Sequence, residues 1–165
     1  MRADPIHARE DSAPFRGPSR QIVTFNVDGR VFGIDVGMVR EIKGWQTTTP
    51  LPHSAPHVRG VLNLRGLILA VFDLRARLGS GLTEPTAKHV IVVVDVGDQT
   101  AGLLVDAVSD IVDVPLCDIH PPPSVSADGL DAIEGVAVLA QSVVALLKLS
   151  AILNAAPQAS PAQAA

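Results

Sequence analysis

The segment His57–Gly79, HVRGVLNLRGLILAVFDLRARLG, decides how this chain folds. Two apolar runs flank Arg65-Gly66, and a glycine-containing pair between such runs predicts a tight turn. The second run, residues 67–72, is short enough for a strand and too short for a typical helix. Asp73 then predicts a helix N-cap, and the closing glycine predicts the end of that helix. The sequence therefore predicts a strand, a tight turn, a second strand and a short helix.

The hairpin belongs to an internal duplication. Residues 135–154 align without gaps on residues 60–79, and residues 91–111 align in the same way on residues 22–42. The identical positions are mostly small or apolar, as a shared packing scheme requires, and two gapless alignments in the same order indicate a repeat. The chain is therefore predicted to contain two similar β units in tandem.

The two copies differ at the turn of the hairpin, where Arg65-Gly66 is replaced by Ala140-Gln141. A charged residue in a turn is usually just solvated. Here, however, the fold tolerates a neutral turn in the second copy. Arg65 is therefore interpreted as serving something outside the fold.

Closed barrels are the predicted form of the two units. Five short strands cannot bury both faces as a flat sheet, and closure into a small barrel removes the exposed edges. The run Leu116–Asp128, which contains three consecutive prolines, is predicted to be a loop. The predicted strands outside the first hairpin are Gln21–Val27, Arg30–Val36, Lys88–Val96, Gln99–Val105, Ile133–Leu139 and Ser142–Leu147.

Polar, proline-bearing ends bound the predicted folded region. Residues 1–19 and 155–165 are predicted to be disordered, because they lack the apolar periodicity needed for a core. The folded region is then 20–154, with a first barrel at about 20–82 and a second at about 83–154. An exchange of strands between the two barrels is left open.

Composition excludes several classes of function. The chain has 165 residues, a formal net charge of −4, 47% hydrophobic and 3% aromatic residues. It has no basic cluster, which argues against nucleic acid as a partner. Its apolar runs are far shorter than the roughly 20 residues of a membrane helix, so no direct membrane insertion is expected. A single cysteine and the lack of a secretion signal fit a cytoplasmic protein.

No constellation for catalysis or metal binding is evident. The chain has no nucleophile motif, phosphate-binding loop or zinc-ligand spacing, so we expect no enzymatic activity, no metal and no cofactor. Cys117 lies next to an aspartate, which disfavours a thiolate. Asp106, Asp110 and Asp113 alternate with apolar residues and are interpreted as a solvated acidic strand edge. Trp45 could equally cap an apolar end of a barrel or anchor a partner.

The hairpin sequence is similar to the signature of the CheW-like domain family. In that family a Gly-Val-x-Asn-Leu-Arg-Gly run is followed by a Pro-Val or Pro-Ile pair and then by Asp-Leu-Arg. This sequence matches nearly throughout and has Ala70 where the family often has proline. VREIKG at Val39–Gly44 and GLLVDAVSDIVDV at Gly102–Val114 resemble further family segments. The family includes the coupling proteins of bacterial chemotaxis and the regulatory domain of their histidine kinase. The resemblance implies a mostly β fold of two tandem, five-stranded SH3-like barrels with short helices and a third apolar core between them.

The resemblance also implies a function and a set of site residues. A member of this size would bridge the cytoplasmic tips of methyl-accepting chemoreceptors to the regulatory domain of the CheA kinase, within arrays at the inner face of the membrane. Its receptor-binding groove would be walled by Val39, Glu41, Gly60 and Arg65. No residue is assigned to the kinase contact. Because the matching glutamate and arginine of the family lie close together, Glu41 and Arg65 are predicted to approach within ion-pair distance.

Two alternatives remain at this point. The same adaptor fold could serve a different sensory system, such as one that controls pili or biofilm. A small β-barrel enzyme is disfavoured, because the chain lacks the residues that catalysis requires.

Overall fold

A computed structural model describes residues 17–122, 132–140 and 142–154. The predicted disordered tail at 155–165 and nearly all of the predicted leader lie outside the described residues, as does Gln141 of the second hairpin turn.

The described part of the chain forms eleven strands and two short helices. The predicted strands are confirmed to within about two residues at each end. The bounds are β1 Ser19–Val27, β2 Arg30–Asp35, β3 Val39–Gly44, β4 Val58–Leu64, β5 Leu67–Asp73, α1 Leu74–Arg77, β6 Val90–Val96, β7 Gln99–Val105, β8 Ala107–Pro115, β9 Ile119–His120, β10 Ile133–Leu139, β11 Ser142–Leu147 and α2 Leu149–Asn154.

Local sequence explains the turns and the first helix. Asp28-Gly29 and Arg65-Gly66 both have positive φ at their two residues, 54° and 76° in the first pair and 53° and 90° in the second. Two consecutive residues of this kind form the hairpin turn whose twist matches the strands that flank it. Asp73 caps α1, since its Oδ1 accepts a hydrogen bond from the backbone N–H of Ala76 at 3.3 Å. The predicted strand, turn, strand and helix of the first hairpin are thus confirmed.

Strands from both halves of the chain make up each of the two sheets. The order in the six-stranded sheet is β8-β1-β2-β11-β10-β9, and the order in the five-stranded sheet is β3-β6-β7-β5-β4. Neighbours are antiparallel except for the pairs β2–β11 and β5–β7, which are parallel. The hairpin β1–β2 therefore lies among strands of the second half, and the hairpin β6–β7 lies among strands of the first half.

The sequence repeat corresponds to this topology element by element. β6 and β7 take the place of β1 and β2, β8 that of β3, and β10 and β11 that of β4 and β5. Matched glycines show the same packing in both sheets. A Cβ atom at Gly33 would lie 2.5 Å from Ile22, and one at Gly102 would lie 2.8 Å from Ile91, the residue that aligns with Ile22. In both barrels, therefore, the equivalent isoleucine packs so closely on the neighbouring strand that only glycine fits beneath it.

Three apolar cores lie within the described part of the chain, and the largest is shared by the two sheets. Strand β6 shows why, because Ile91 and Val93 face the core of one barrel while Val92 and Val94 face the shared core. This shared cluster is the third core that the family resemblance implies. Its buried members are Phe25, Val27, Phe32, Ile34, Phe72, Leu74, Val92, Val94, Ala101, Leu103, Val105, Ala132, Leu147, Leu149, Ile152 and Leu153.

One predicted loop is partly wrong. Leu116–Asp118 form a 3₁₀ turn and Ile119–His120 form β9, which pairs with β10 through Val136↔His120 and Ala137↔Ile119. Two residues are too few to show strand periodicity, and the prolines that follow dominate the local composition. The predicted acidic strand edge is confirmed for Asp110 and Asp113, which are exposed on the edge strand β8. Asp106 lies just before β8, is half-buried, and accepts a hydrogen bond from the backbone N–H of Asp28 at 2.9 Å.

Candidate functional site

The five-stranded sheet ends in β3 on one side and β4 on the other, and the chain closes the gap between them. We call this junction the seam, formed by residues 41–49 facing residues 59–65. At one end of the seam, Nη2 of Arg65 donates a hydrogen bond to Oε2 of Glu41. The predicted ion pair of Glu41 and Arg65 is therefore present. The arginine side chain is 71% exposed and the glutamate side chain 25% exposed. The guanidinium is therefore accessible to solvent, while the carboxylate that binds it is half-buried.

Arg65 occupies a backbone conformation that favours other residues. Its φ of 53° lies in the left-handed region, where asparagine, aspartate and glycine are preferred and most side chains are disfavoured. The turn is braced by Asn63, whose Oδ1 accepts a hydrogen bond from the backbone N–H of Gly66 at 2.8 Å. Because the turn itself does not favour arginine, the hypothesis is that the side chain contributes something other than backbone stability.

An apolar surface continues from the shared core to this turn. Ile68 and Ala70 lie two residues apart on β5 and so face the same side. Ala70 packs against the shared core, whereas Ile68 is 59% exposed beside the turn, opposite Asn63 in the strand register. Val39 also packs against the shared core and is half-buried. The charged pair therefore stands beside one exposed isoleucine, at the border of residues that pack against the shared core.

Gly60 differs from the other predicted site residues because it is buried. Its φ is +138°, and a Cβ atom at this position would lie 2.2 Å from the carbonyl oxygen of Thr49. The structure thus brings Glu41 and Arg65 together, places Val39 on the same strand as Glu41, and sets Gly60 beneath the loop that follows β3.

Trp45 caps the barrel. Its ring is half-buried and packs against the apolar core of the five-stranded sheet. The guanidinium of Arg59 lies over the ring at 6.0 Å from its centroid, within the range of a cation–π contact. Of the two interpretations left open by the sequence, the structure supports the cap.

A buried polar cluster that sequence reasoning missed lies at the base of the hairpin. Asp73 is fully buried, and its carboxylate accepts hydrogen bonds from the backbone N–H and the hydroxyl of Thr83, both at 2.7 Å. Nη1 of Arg59 lies 3.5 Å from the same carboxylate and donates to the carbonyl of Thr83 at 3.1 Å. The cluster ties the linker, residues 78–89 between α1 and β6, to the end of β5. The only signal in the sequence was the N-cap position of Asp73.

His57 adds a pH-sensitive group to this region. Its ring stacks on Phe72 with 5.9 Å between centroids, and its Nε2 is buried without a hydrogen-bond partner in the described part of the chain. Burial, followed by the positive charge of Arg77, lowers the pKa of His57 from its ordinary value of 6.5, against a smaller raising effect of Asp73.

Acidification is therefore expected to destabilise the fold partly through His57. Below pH 6.5 the unfolded chain binds a proton that the folded chain resists, so stability falls as pH drops from 6.5 toward the lowered pKa. Melting temperatures between pH 8 and pH 5 check this. His57→Gln should flatten the profile in this window, and a variant profile parallel to that of the wild type would contradict the assignment.

Two further properties of the described residues bear on function. No group of three or more histidine, cysteine or acidic residues in the described ranges could hold a metal ion. Among the same residues, no helix has the length and apolar character to cross a membrane.

The structure consists of two interlocked SH3-like barrels with an exposed ion pair and an exposed isoleucine beside one seam, and such a site indicates a binding module. Similarity to known protein families and structures identifies the particular family. Residues 21–157 match the model of the CheW-like domain, and the chain belongs to that family.

Individual relatives agree with this assignment. The chain is 46% identical over 123 residues to a chemotaxis protein CheW of Rhizobium meliloti strain 1021, covering 70% of this chain and 79% of that protein. It is 31% identical over 135 residues to the chemotaxis protein CheW of Bacillus subtilis strain 168, covering 81% and 86%. The crystal structure of the scaffolding protein TtCheW from Thermoanaerobacter tengcongensis matches with a TM-score of 0.74 at 30% identity, covering 79% of this chain and 90% of that one.

These findings confirm the family and the fold class predicted from the sequence. They identify the chain as a chemotaxis coupling adaptor. Its relatives point to a protein without catalytic activity.

Proposed function

We propose that this chain bridges the cytoplasmic tips of chemoreceptors to the regulatory domain of the CheA kinase, and that the Glu41–Arg65 seam is its receptor-binding site. The observation that carries the proposal is the exposed guanidinium of Arg65, held by Glu41 in a turn that does not favour arginine. The array at the inner face of the membrane is where such a bridge would work.

The internal repeat supports a role outside the fold. The barrel of the six-stranded sheet, called the second barrel, has the same topology, but Asp110 and Ala140 replace Glu41 and Arg65, so this ion pair cannot form there. A barrel of this type therefore closes without the pair. An exposed pair contributes only about 0–1 kcal/mol to stability, which leaves partner binding as the better explanation of the arginine.

The mechanism follows from the shape and chemistry of the surface. A receptor tip is a helical hairpin, and a helix docks by laying an apolar stripe into a groove. Here Val39 and Ile68 would meet that stripe, and Arg65 would bind an acidic or carbonyl group at its edge. Because Glu41 already orients the guanidinium, less side-chain entropy is lost on docking.

Replacing Arg65 tests this site. Arg65→Ala is expected to leave the melting temperature nearly unchanged and to weaken binding of a receptor-tip fragment by about 1–3 kcal/mol. Binding of the kinase regulatory domain should survive, because it uses other surfaces. Titrations against the two partners and a thermal melt measure all three quantities.

Two variants sharpen the result. Arg65→Asn removes the guanidinium but suits the left-handed turn, so it should weaken receptor binding without lowering the melting temperature. Arg40→Ala is the matched control, since it removes an exposed arginine of β3 that pairs with Asp95 at 3.3 Å. If Arg65→Ala lowers both affinities and the melting temperature together, Arg65 is structural and the proposal fails.

The same adaptor geometry would suit another sensory output as well. Co-purification of the receptor and the kinase from the native cell would identify the system that this chain serves.

A further inference from the structure

The seam is closed at its second end by backbone atoms. The N–H of Thr49 donates to the carbonyl of Val61 at 2.9 Å, and the N–H of Val61 donates to the carbonyl of Thr49 at 2.8 Å. Next to this pair, the hydroxyl of Thr48 donates to the carbonyl of Arg59 at 3.1 Å. The loop after β3 thus adds to the free edge of β4, four residues before the turn that carries Arg65.

Gly60 makes this approach possible. It lies between Arg59 and Val61, and a side chain there would place its Cβ 2.2 Å from the oxygen and 2.6 Å from the carbon of the Thr49 carbonyl. Both contacts involve backbone, which cannot rotate aside as a flexible side chain can. The φ of +138° is also a conformation that residues with a side chain rarely adopt. Any substitution must therefore push the loop off β4 or move β4 itself.

The second barrel provides an internal control. Gly135 aligns with Gly60, and a Cβ at Gly135 would lie 2.9 Å from the carbonyl oxygen of His120. His120 pairs with Val136 just as Thr49 pairs with Val61. The same closure therefore occurs in a barrel whose turn carries Ala140 in place of the arginine. A glycine at this place is therefore a packing requirement of the seam in both barrels.

We infer that Gly60 is a positioning residue: it lets Thr49 close the seam, and this closure keeps Arg65 within reach of Glu41. Gly60 itself is buried and does not touch the receptor. The inference rests on the proposed function for its binding readout, but its structural readout needs no partner. It changes the expected role of Gly60 from wall of the groove to support of the charged pair.

The first experiment uses the full chain without a partner. Trp45 is the only tryptophan in the sequence and begins the loop that packs against Gly60. Its fluorescence emission is therefore a probe of whether the seam is closed. Gly60→Ala is expected to shift Trp45 emission to longer wavelength and to speed amide exchange at Thr49 and Val61 by about tenfold or more. Gly135→Ala should lower the melting temperature but leave Trp45 emission and these two amides unchanged.

The second experiment is a double-mutant cycle against a receptor-tip fragment, well below the melting temperature. Gly60→Ala is expected to weaken binding roughly tenfold, and the double variant with Arg65→Ala should bind no worse than Arg65→Ala alone. Gly135→Ala should bind as the wild type does. Losses that multiply would show that Gly60 acts independently of Arg65 and would overturn the inference.

A milder variant covers the case in which Gly60→Ala does not fold. Thr48→Val removes one seam hydrogen bond at nearly constant side-chain volume. It should shift Trp45 emission and weaken receptor binding in the same direction as Gly60→Ala but less. Combined with Arg65→Ala, it should cause no further loss of affinity. Unchanged Trp45 emission and affinity in Thr48→Val would count against the inference. If Arg65→Ala itself leaves receptor binding intact, the proposed function fails, whereas the fluorescence and exchange results still decide the role of Gly60.

Discussion

Cut between Glu84 and Pro85, the chain is expected to give two fragments that do not fold alone but restore the native structure when mixed. The first fragment holds β1–β5, yet its hairpin β1–β2 belongs to the sheet that β8, β10 and β11 complete. Each fragment alone would also expose its side of the shared core. Halves of this kind cannot offset the entropy of ordering their chains.

The measurement is circular dichroism of each fragment and of the equimolar mixture, with sedimentation to establish a 1:1 complex. Each fragment should lack a cooperative melt, and the mixture should regain one. A fragment that melts cooperatively as a monomer would show that its own hairpin can replace the exchanged one. The first fragment retains Thr83, so the cut leaves its two hydrogen bonds to the buried Asp73 in place.

Loss of the Asp73 carboxylate should be the most damaging single substitution among the polar residues. Asp73→Ala removes the acceptor for two bonds from Thr83 and for the N–H of Ala76, and it leaves Arg59 without its buried partner. Breaking a buried pair of this kind costs about 3–5 kcal/mol, since the remaining groups stay desolvated. Denaturant unfolding of the two proteins gives the difference in free energy.

Two controls define what that loss means. Thr83→Val removes only the hydroxyl and should cost about 1–3 kcal/mol, the penalty for one buried hydrogen bond. Asp113→Asn, on the exposed edge strand, should change stability by less than about 0.5 kcal/mol. A loss below 1 kcal/mol for Asp73→Ala would mean that the linker is held by other contacts.

Local signals explain what the sequence predicted correctly. These signals act over a few residues: they are the pair Arg65-Gly66, the Asp73 cap and the apolar runs around them. The hairpin and the helix can therefore be predicted from the sequence. The ion pair was expected from family resemblance, whereas the repeat explained why only one barrel has it. The roles of Val39, Glu41, Gly60 and Arg65 in receptor binding remain proposals, as do the barrel limits near residue 82.

Other features left no local signal. Because β6–β7 resembles β1–β2 in sequence, exchanged and unexchanged barrels have the same apolar pattern, and only the three-dimensional structure distinguishes them. The Thr49–Val61 pair is made by backbone atoms, so its single trace in the sequence is Gly60. The bonds between Asp73 and Thr83 join residues ten apart through a linker without periodicity.

The exchange of hairpins also has a consequence for synthesis on the ribosome. The hairpin β1–β2 is complete at Asp35, but its neighbour β11 begins at Ser142, 107 residues later. At about 5–20 residues per second, the nascent hairpin waits roughly 5–21 s for the strand that completes its sheet. Until β6 begins at Val90, 55 residues after Asp35, Phe25, Phe32 and Ile34, all buried in the finished protein, have no native partners from the second half. We therefore expect the nascent chain to bind chaperones that shield apolar segments.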